Sequence, residues 1–107
     1  MPERESAESN KPNRTEGRPL FSLGQIVATP GALAALQEAG VNPLALITRH
    51  VTGDWGDLGT EDKQANEEAL QQGQRLLSAY KLQTGQKIWL ITEYDRSVTT
   101  LLLPSDY

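Results

Sequence analysis

Apolar positions along the chain fall into two regimes, helical spacing up to about residue 73 and strand-like alternation from Arg75 onward. At the start of the first regime, Gln25 to Ala28 reads as a short strand. Thr29 before Pro30 is a helix start, a hydroxyl N-cap followed by a proline whose missing N–H costs nothing in a first turn. Ala32, Leu33, Ala35, Leu36 and Ala39 then make an apolar face that Gly40 stops. Asn42-Pro43 repeats the start signal, and Leu44, Ile47 and Val51 predict a second helix running to about Gly53. A third helix is predicted from Thr60 as N-cap, with Glu61 and Asp62 at the positive end of its dipole. Lys63, not Glu, sits three residues after Thr60, so no capping box forms. Its apolar face (Ala65, Ala69, Leu70) is weak, and this mostly polar helix is expected to cover the domain's edge before Gly73.

The second regime contains RLLSAYKL, KIWLITEY and SVTTLLLP, rich in aromatic and β-branched residues and separated by QTGQ and DR. Ile88, Leu90, Thr92 and Tyr94 share one face of the middle segment, and Trp89, Ile91 and Glu93 share the other. Both faces carry large apolar groups, so this strand is expected to be central. Asp95-Arg96 makes a tight polar turn, and Pro104 ends the last strand. The fold class is therefore α+β, a short N-terminal strand and two to three helices followed by a C-terminal three-stranded antiparallel meander.

Composition divides the chain once. Residues 1–19 hold no large apolar residue after Met1, and their four acids balance four bases. Such a segment buries too little apolar surface to offset the entropy of ordering it, so a disordered tail is expected, with one domain over residues 20–107. The whole net charge of −4 then falls on the domain, which argues against a nonspecific nucleic-acid binder. No stretch reaches the roughly 18 apolar residues of a membrane span, and no basic-then-apolar signal opens the chain. The absence of cysteine removes disulfides, zinc–thiolate sites and thiol chemistry. A cytoplasmic location is expected.

The blocks IVATPGALAALQEAG, RHVTGDWGDL, RLLSAY and IWLITEYDRSVTTLLLPSDY resemble a family of short bacterial proteins from plasmids and genomic islands. Its members are labelled "plasmid-related protein" and sometimes "type I restriction endonuclease subunit M". The resemblance runs from about Leu20 to Tyr107 and implies a mobile-element setting. It lends no activity. A methyltransferase needs a larger nucleotide-type fold and an Asn/Asp-Pro-Pro-aromatic motif, which Asn42-Pro43-Leu44 does not supply.

Candidate chemistry concentrates in RHVTGDWGDLGTED, residues 49–62, which holds the sole histidine. His50 titrates near neutrality and carries any His-dependent acid–base scheme. Its place late in the second helix, where the dipole favours a cation, is also a structural reason for it. Asp54, Asp57, Glu61 and Asp62 do not match the alternating oxygens and sixth-position glycine of an EF-hand, so no metal or other cofactor is expected. Ser78 and Ser97 lie in no nucleophile elbow. Gly53, Gly56 and Gly59 lack the strand–glycine–helix setting and the lysine of a phosphate loop.

Two function classes follow. In the first, the protein is a non-enzymatic accessory factor of a mobile element, an anti-defence inhibitor in its concrete form. Asp54, Trp55, Asp57, Glu61 and Asp62 then meet a protein with a basic, nucleic-acid-binding surface. In the second, a strand, helices and a meander resemble small RelE-like and barnase-like ribonucleases, with His50, Glu93, Arg96 and Thr99 gathered on the sheet and no metal. Glu93 and Arg96 read equally as a surface ion pair. A homodimer through Leu101 and Leu103 of the last strand is a third reading.

Overall fold

The computed structural model describes residues 17–107, so all but the last three residues of the expected tail lie outside the described residues. β1 spans Gln25–Ala28, α1 Pro30–Ala39, α2 Pro43–Val51 and α3 Thr60–Gln72. β2 (Leu76–Lys81), β3 (Lys87–Thr92) and β4 (Val98–Leu102) follow, and a 3-10 turn, Pro104–Asp106, closes the chain.

The helix boundaries follow local chemistry. Thr29 caps α1 by accepting from the Ala32 N–H at 3.1 Å, and Asn42 caps α2 by accepting from Leu44 at 2.9 Å. Gly40 and Gly73 end α1 and α3 in the left-handed region. Two boundaries differ from expectation. α2 stops at Val51 because Thr52 leaves helical geometry at φ −96° and ψ 5° and Gly53 follows in the left-handed region at φ +88°. α3 is capped by Gly59 with no side-chain bond, and Thr60 is its first helical residue. Glu61 and Asp62 still offset the dipole.

The three C-terminal strands form the antiparallel meander with β3 central, but the sheet is a mixed four-stranded one in the order β1-β4-β3-β2. β1 joins it parallel to β4, pairing Gln25 with Val98 and Ala28 with Leu101. A parallel pair needs a crossover, and this one runs through three helices and two strands. Neighbouring residues therefore give no signal for it.

One face of the sheet carries the core. Leu76, Ser78 and Tyr80 of β2, Ile88, Leu90 and Thr92 of β3, and Thr99 and Leu101 of β4 all point to it and are buried. Ala32, Ala35 and Leu36 of α1 and Leu46 and Ile47 of α2 complete that core. Trp55, Ala69 and Leu76 form a second cluster with Phe21, Leu58 and Leu70. Tyr94, in phase with the core face by alternation, is exposed because the turn intervenes. On the outer face the C-terminus folds back. The Tyr107 ring meets Trp89 with centroids 5.8 Å apart, and its hydroxyl accepts from Arg75 at 2.7 Å. Asp106 Oδ2 accepts from the Thr29 hydroxyl at 2.7 Å and from the Leu103 N–H at 3.0 Å, which holds its carboxyl below the usual range.

The β2 edge is closed along its length, as the polar character of α3 predicts. Asn66 of α3 pairs with both backbone groups of Leu77, donating to its carbonyl at 2.6 Å and accepting from its N–H at 3.1 Å. Ala79 exchanges bonds with the Trp55 carbonyl and the Asp57 N–H at 3.1 and 2.6 Å. The Asp57 carboxylate accepts from the Lys81 N–H at 2.9 Å. Both outward groups of Leu77 and of Ala79 and the N–H of Lys81 are thus satisfied by one loop and one side chain. Asn66→Ala leaves two buried backbone groups without partners and is expected to cost about 2–3 kcal/mol, read as a lower urea midpoint with an unchanged m value.

Candidate functional site

His50 sits in the last turn of α2, and its imidazole is 0 % exposed. Nδ1 lies 2.6 Å from Ser78 Oγ on β2, and Nε2 lies 2.9 Å from Thr92 Oγ1 on β3. Thr92 Oγ1 is in turn 2.7 Å from Thr99 Oγ1 on β4, and the Thr99 hydroxyl donates to the Leu23 carbonyl at 2.7 Å. That last bond fixes every proton in the chain. Thr99 has given its only hydrogen to Leu23, so it accepts from Thr92. Thr92 then accepts from His50, and Nε2 must carry hydrogen. A neutral ring therefore accepts at Nδ1 from the Ser78 hydroxyl.

The ring is enclosed by aromatic faces. Phe21 meets it edge-on at 5.2 Å and Trp55 at 5.9 Å, and Phe21 and Trp55 stack on each other at 6.4 Å. Burial in this cage pushes the imidazole pKa down to about 4. The expectation of a cation favoured by the helix dipole is thereby corrected, because desolvation outweighs the dipole and the ring is neutral.

The ribonuclease-like quartet is only half assembled. His50 and Thr99 share one network through Thr92, but both are fully buried. Glu93 is out of phase with Thr92, and its N–H donates to Val98. Arg96 directs its guanidinium at backbone carbonyls, those of Gln74 (2.6 Å), Glu93 (3.1 Å), Tyr94 (3.3 Å) and Ala69 (3.2 Å). It caps the end of α3 and props the β3–β4 turn, in which its own φ is +60°. The expected ion pair with Glu93 does not form, since those carbonyls take the guanidinium instead.

Residues 49–62 turn out to serve the edge of the sheet. Trp55 is 3 % exposed and donates from Nε1 to Glu67 Oε2 at 2.9 Å. This corrects the expectation that it anchors a partner, because an indole packed on Ala69 and Leu76 is more favourably placed than one in water. Asp54 holds Arg49 through bonds of 2.7 and 3.3 Å, and that partner lowers its pKa and raises the arginine's. The Arg49 guanidinium stacks 4.4 Å over Tyr80, whose hydroxyl donates to the Asp54 carbonyl at 2.6 Å. Gly56, at φ +79°, crosses β2 so closely that a Cβ would strike the Ala79 carbonyl and the Tyr80 ring.

What remains open to solvent is mostly acidic, with Lys63 as an exposed base among the acids. Glu61, Asp62 and Glu68 are exposed on α3, and Asp57 is exposed on the loop before it. Gln64, Glu67, Glu68, Gln71 and Gln72 line a shallow depression along one stripe of α3. Among the described residues, no three His, Asp or Glu side chains converge to hold a metal ion, and no helix is long and apolar enough to cross a membrane.

The sequence does not single out Ser78, Thr92 and Asn66 as members of these networks. A signal existed for two of them. Ser78 falls in phase with Leu76 and Tyr80, and Thr92 with Ile88 and Leu90, so each is a hydroxyl at a core position that requires a buried partner.

The comparisons add no relative. No family model matches the chain, and no curated protein or solved structure matches it.

His50 makes stability pH-dependent. With the folded pKa near 4 and an unfolded value of about 6.5, only the unfolded state takes up the proton between them. The stabilisation is complete above pH 6.5 and declines as pH falls, by about 2 kcal/mol at pH 5. Urea titrations across that range are expected to show the slope in the wild type and to lose most of it in His50→Gln. Nitrogen chemical shifts at pH 7 should report the Nε2–H tautomer.

Proposed function

We propose that the protein is a non-enzymatic protein-binding factor that engages a basic surface of its partner through the exposed carboxylates of α3. The carrying observation is the division of labour among the acids. Asp54 and Asp57 are engaged within the fold, whereas Glu61 and Asp62 face solvent with no base paired to them among the described residues. Glu68 and the amide stripe of Gln64, Gln71 and Gln72 extend that surface along the helix. A rigid helix bearing acids and amides suits a basic, nucleic-acid-binding surface, with charge governing encounter and the amides giving directional bonds. The setting as an accessory or anti-defence factor of a mobile element rests on the family resemblance, and a cytoplasmic location on the lack of cysteine and of an apolar span in the sequence. The ribonuclease reading gains no favouring observation, because His50 has no route to a substrate without opening the core.

The combined variant Glu61→Gln, Asp62→Asn, Glu68→Gln tests the proposal without disturbing the loop that closes β2. Capture from host lysate by the full-length protein is expected to enrich a basic protein at low salt and release it at high salt. The variant should lose that enrichment while unfolding within about 1 kcal/mol of the wild type, the scale of first-turn dipole effects. Undiminished capture by the variant would remove the acidic-helix reading.

A further inference from the structure

The two edges of the sheet are treated differently. The β2 edge is covered at every outward position, whereas among the described residues the β1 edge is bare. Gln25 and Thr29 donate to Ser97 and Leu101 of β4 at 2.9 Å each, so by alternation Ile26 and Ala28 turn their N–H and C=O groups outward. Among the described residues, nothing bonds to them. Ile26 and Val27 are 44 % and 38 % exposed. Natural edge strands are normally blunted by lysine, proline, a bulge or a covering element, and among the described residues none of these protects residues 25–28. The expected dimer contact through Leu101 and Leu103 is corrected by the same topology, since β4 is an interior strand and Leu101 is 1 % exposed.

We infer that β1 is a self-association edge, which pairs antiparallel with β1 of a second copy about a two-fold axis at Val27. The hydrogen-bond phase closes in that register. Ile26 of one copy meets Ala28 of the other as a bonded pair, and Ala28 meets Ile26 likewise, which satisfies all the outward groups of both residues. Val27 faces its own copy as the non-bonded pair between them, on the outer face of a continuous eight-stranded sheet. The self-complementary register selects a second copy as the occupant. An isologous contact sets each residue against its own kind, and two copies of a chain with net charge −4 repel. The chain from Pro19 to Gln37 contains no charged residue, and it includes the whole of β1 and the exposed Leu33 of α1. A four-residue edge buries less than the roughly 1,200 Å² of a standard interface, so association is expected to be weak, at protein concentrations on the order of 0.1 mM.

The absence of native cysteine gives a direct test. Non-bonded antiparallel partners have Cα atoms about 4.5 Å apart, within the span of a disulfide. Full-length Val27→Cys under mild oxidant should form a covalent dimer much faster than Leu44→Cys, an exposed control on α2. Sedimentation equilibrium of the cysteine-free protein should rise from monomer mass toward twice that mass with concentration. Ile26→Pro removes one outward N–H and leaves the Gln25 and Thr29 bonds to β4 in place, so it should remain monomeric. Val27→Lys sets two cations on the axis and should do the same, which keeps the test decisive if the proline variant misfolds. A wild type that stays monomeric, association unchanged in Val27→Lys, or equal cross-linking at residues 27 and 44 would each overturn the proposal.

Discussion

A neutral imidazole with every hydrogen assigned is the constraint on which the fold depends. His50 joins α2 to β2 through Ser78 and to β3 through Thr92, and Thr92 carries the chain to β4 and to the Leu23 carbonyl just before β1. Apolar packing tolerates sliding and repacking, whereas this chain does not. A one-residue slip of β2 or β3 would turn Ser78 or Thr92 to the outer face and strand the ring among Phe21, Trp55 and an unpaired hydroxyl. The network therefore specifies register where Leu, Ile and Val alone would only favour burial.

From that centre the surrounding loop follows. Trp55 packs against the imidazole, and its backbone carbonyl holds the Ala79 N–H on the β2 edge. The glycines and acids around it keep the chain close enough to β2 to finish the job with Asp57. A cluster that resembles a reactive or metal-binding loop in sequence is thus an edge-closing device. Its Asp54 and Asp57 carboxylates serve as acceptors for backbone and arginine rather than as free ligands.

Local signals carried much of this architecture. Thr29-Pro30, Asn42-Pro43, Gly40 and Gly73 marked helix ends because each acts on the residues beside it. The apolar run of KIWLITEY marked a central strand because both its faces had to be covered. The parallel partnership of β1 with β4 was not legible, since it links residues more than seventy positions apart and leaves no alternation of its own. The site was less legible still. His50 and Thr99 read as catalytic or as structural from the sequence, because sequence supplies a residue's reactivity but not its access to water. Asp54 and Asp57 were grouped with Glu61 and Asp62 as one acidic surface, and only the backbone groups they accept from separate the first pair from the second.

The two surfaces left for function sit at opposite edges of the sheet, α3 flanking β2 and the bare strand β1 at the far side. Three strand spacings, about 14 Å, divide them. That separation matters electrostatically. Like-charged surfaces of two copies brought together would oppose pairing at short range, and at physiological salt the Debye length is only about 8 Å. Acids carried beyond that distance from the axis penalise self-association little. Pairing through β1 would leave both acidic helices at the outer ends of the extended sheet, facing away from each other. Each dimer would then present two equivalent acidic faces, and a partner that is itself symmetric, as many nucleic-acid-binding proteins are, would meet it bivalently. Weak self-association and weak charge-driven capture would reinforce each other through effective concentration, so neither surface would need to be large.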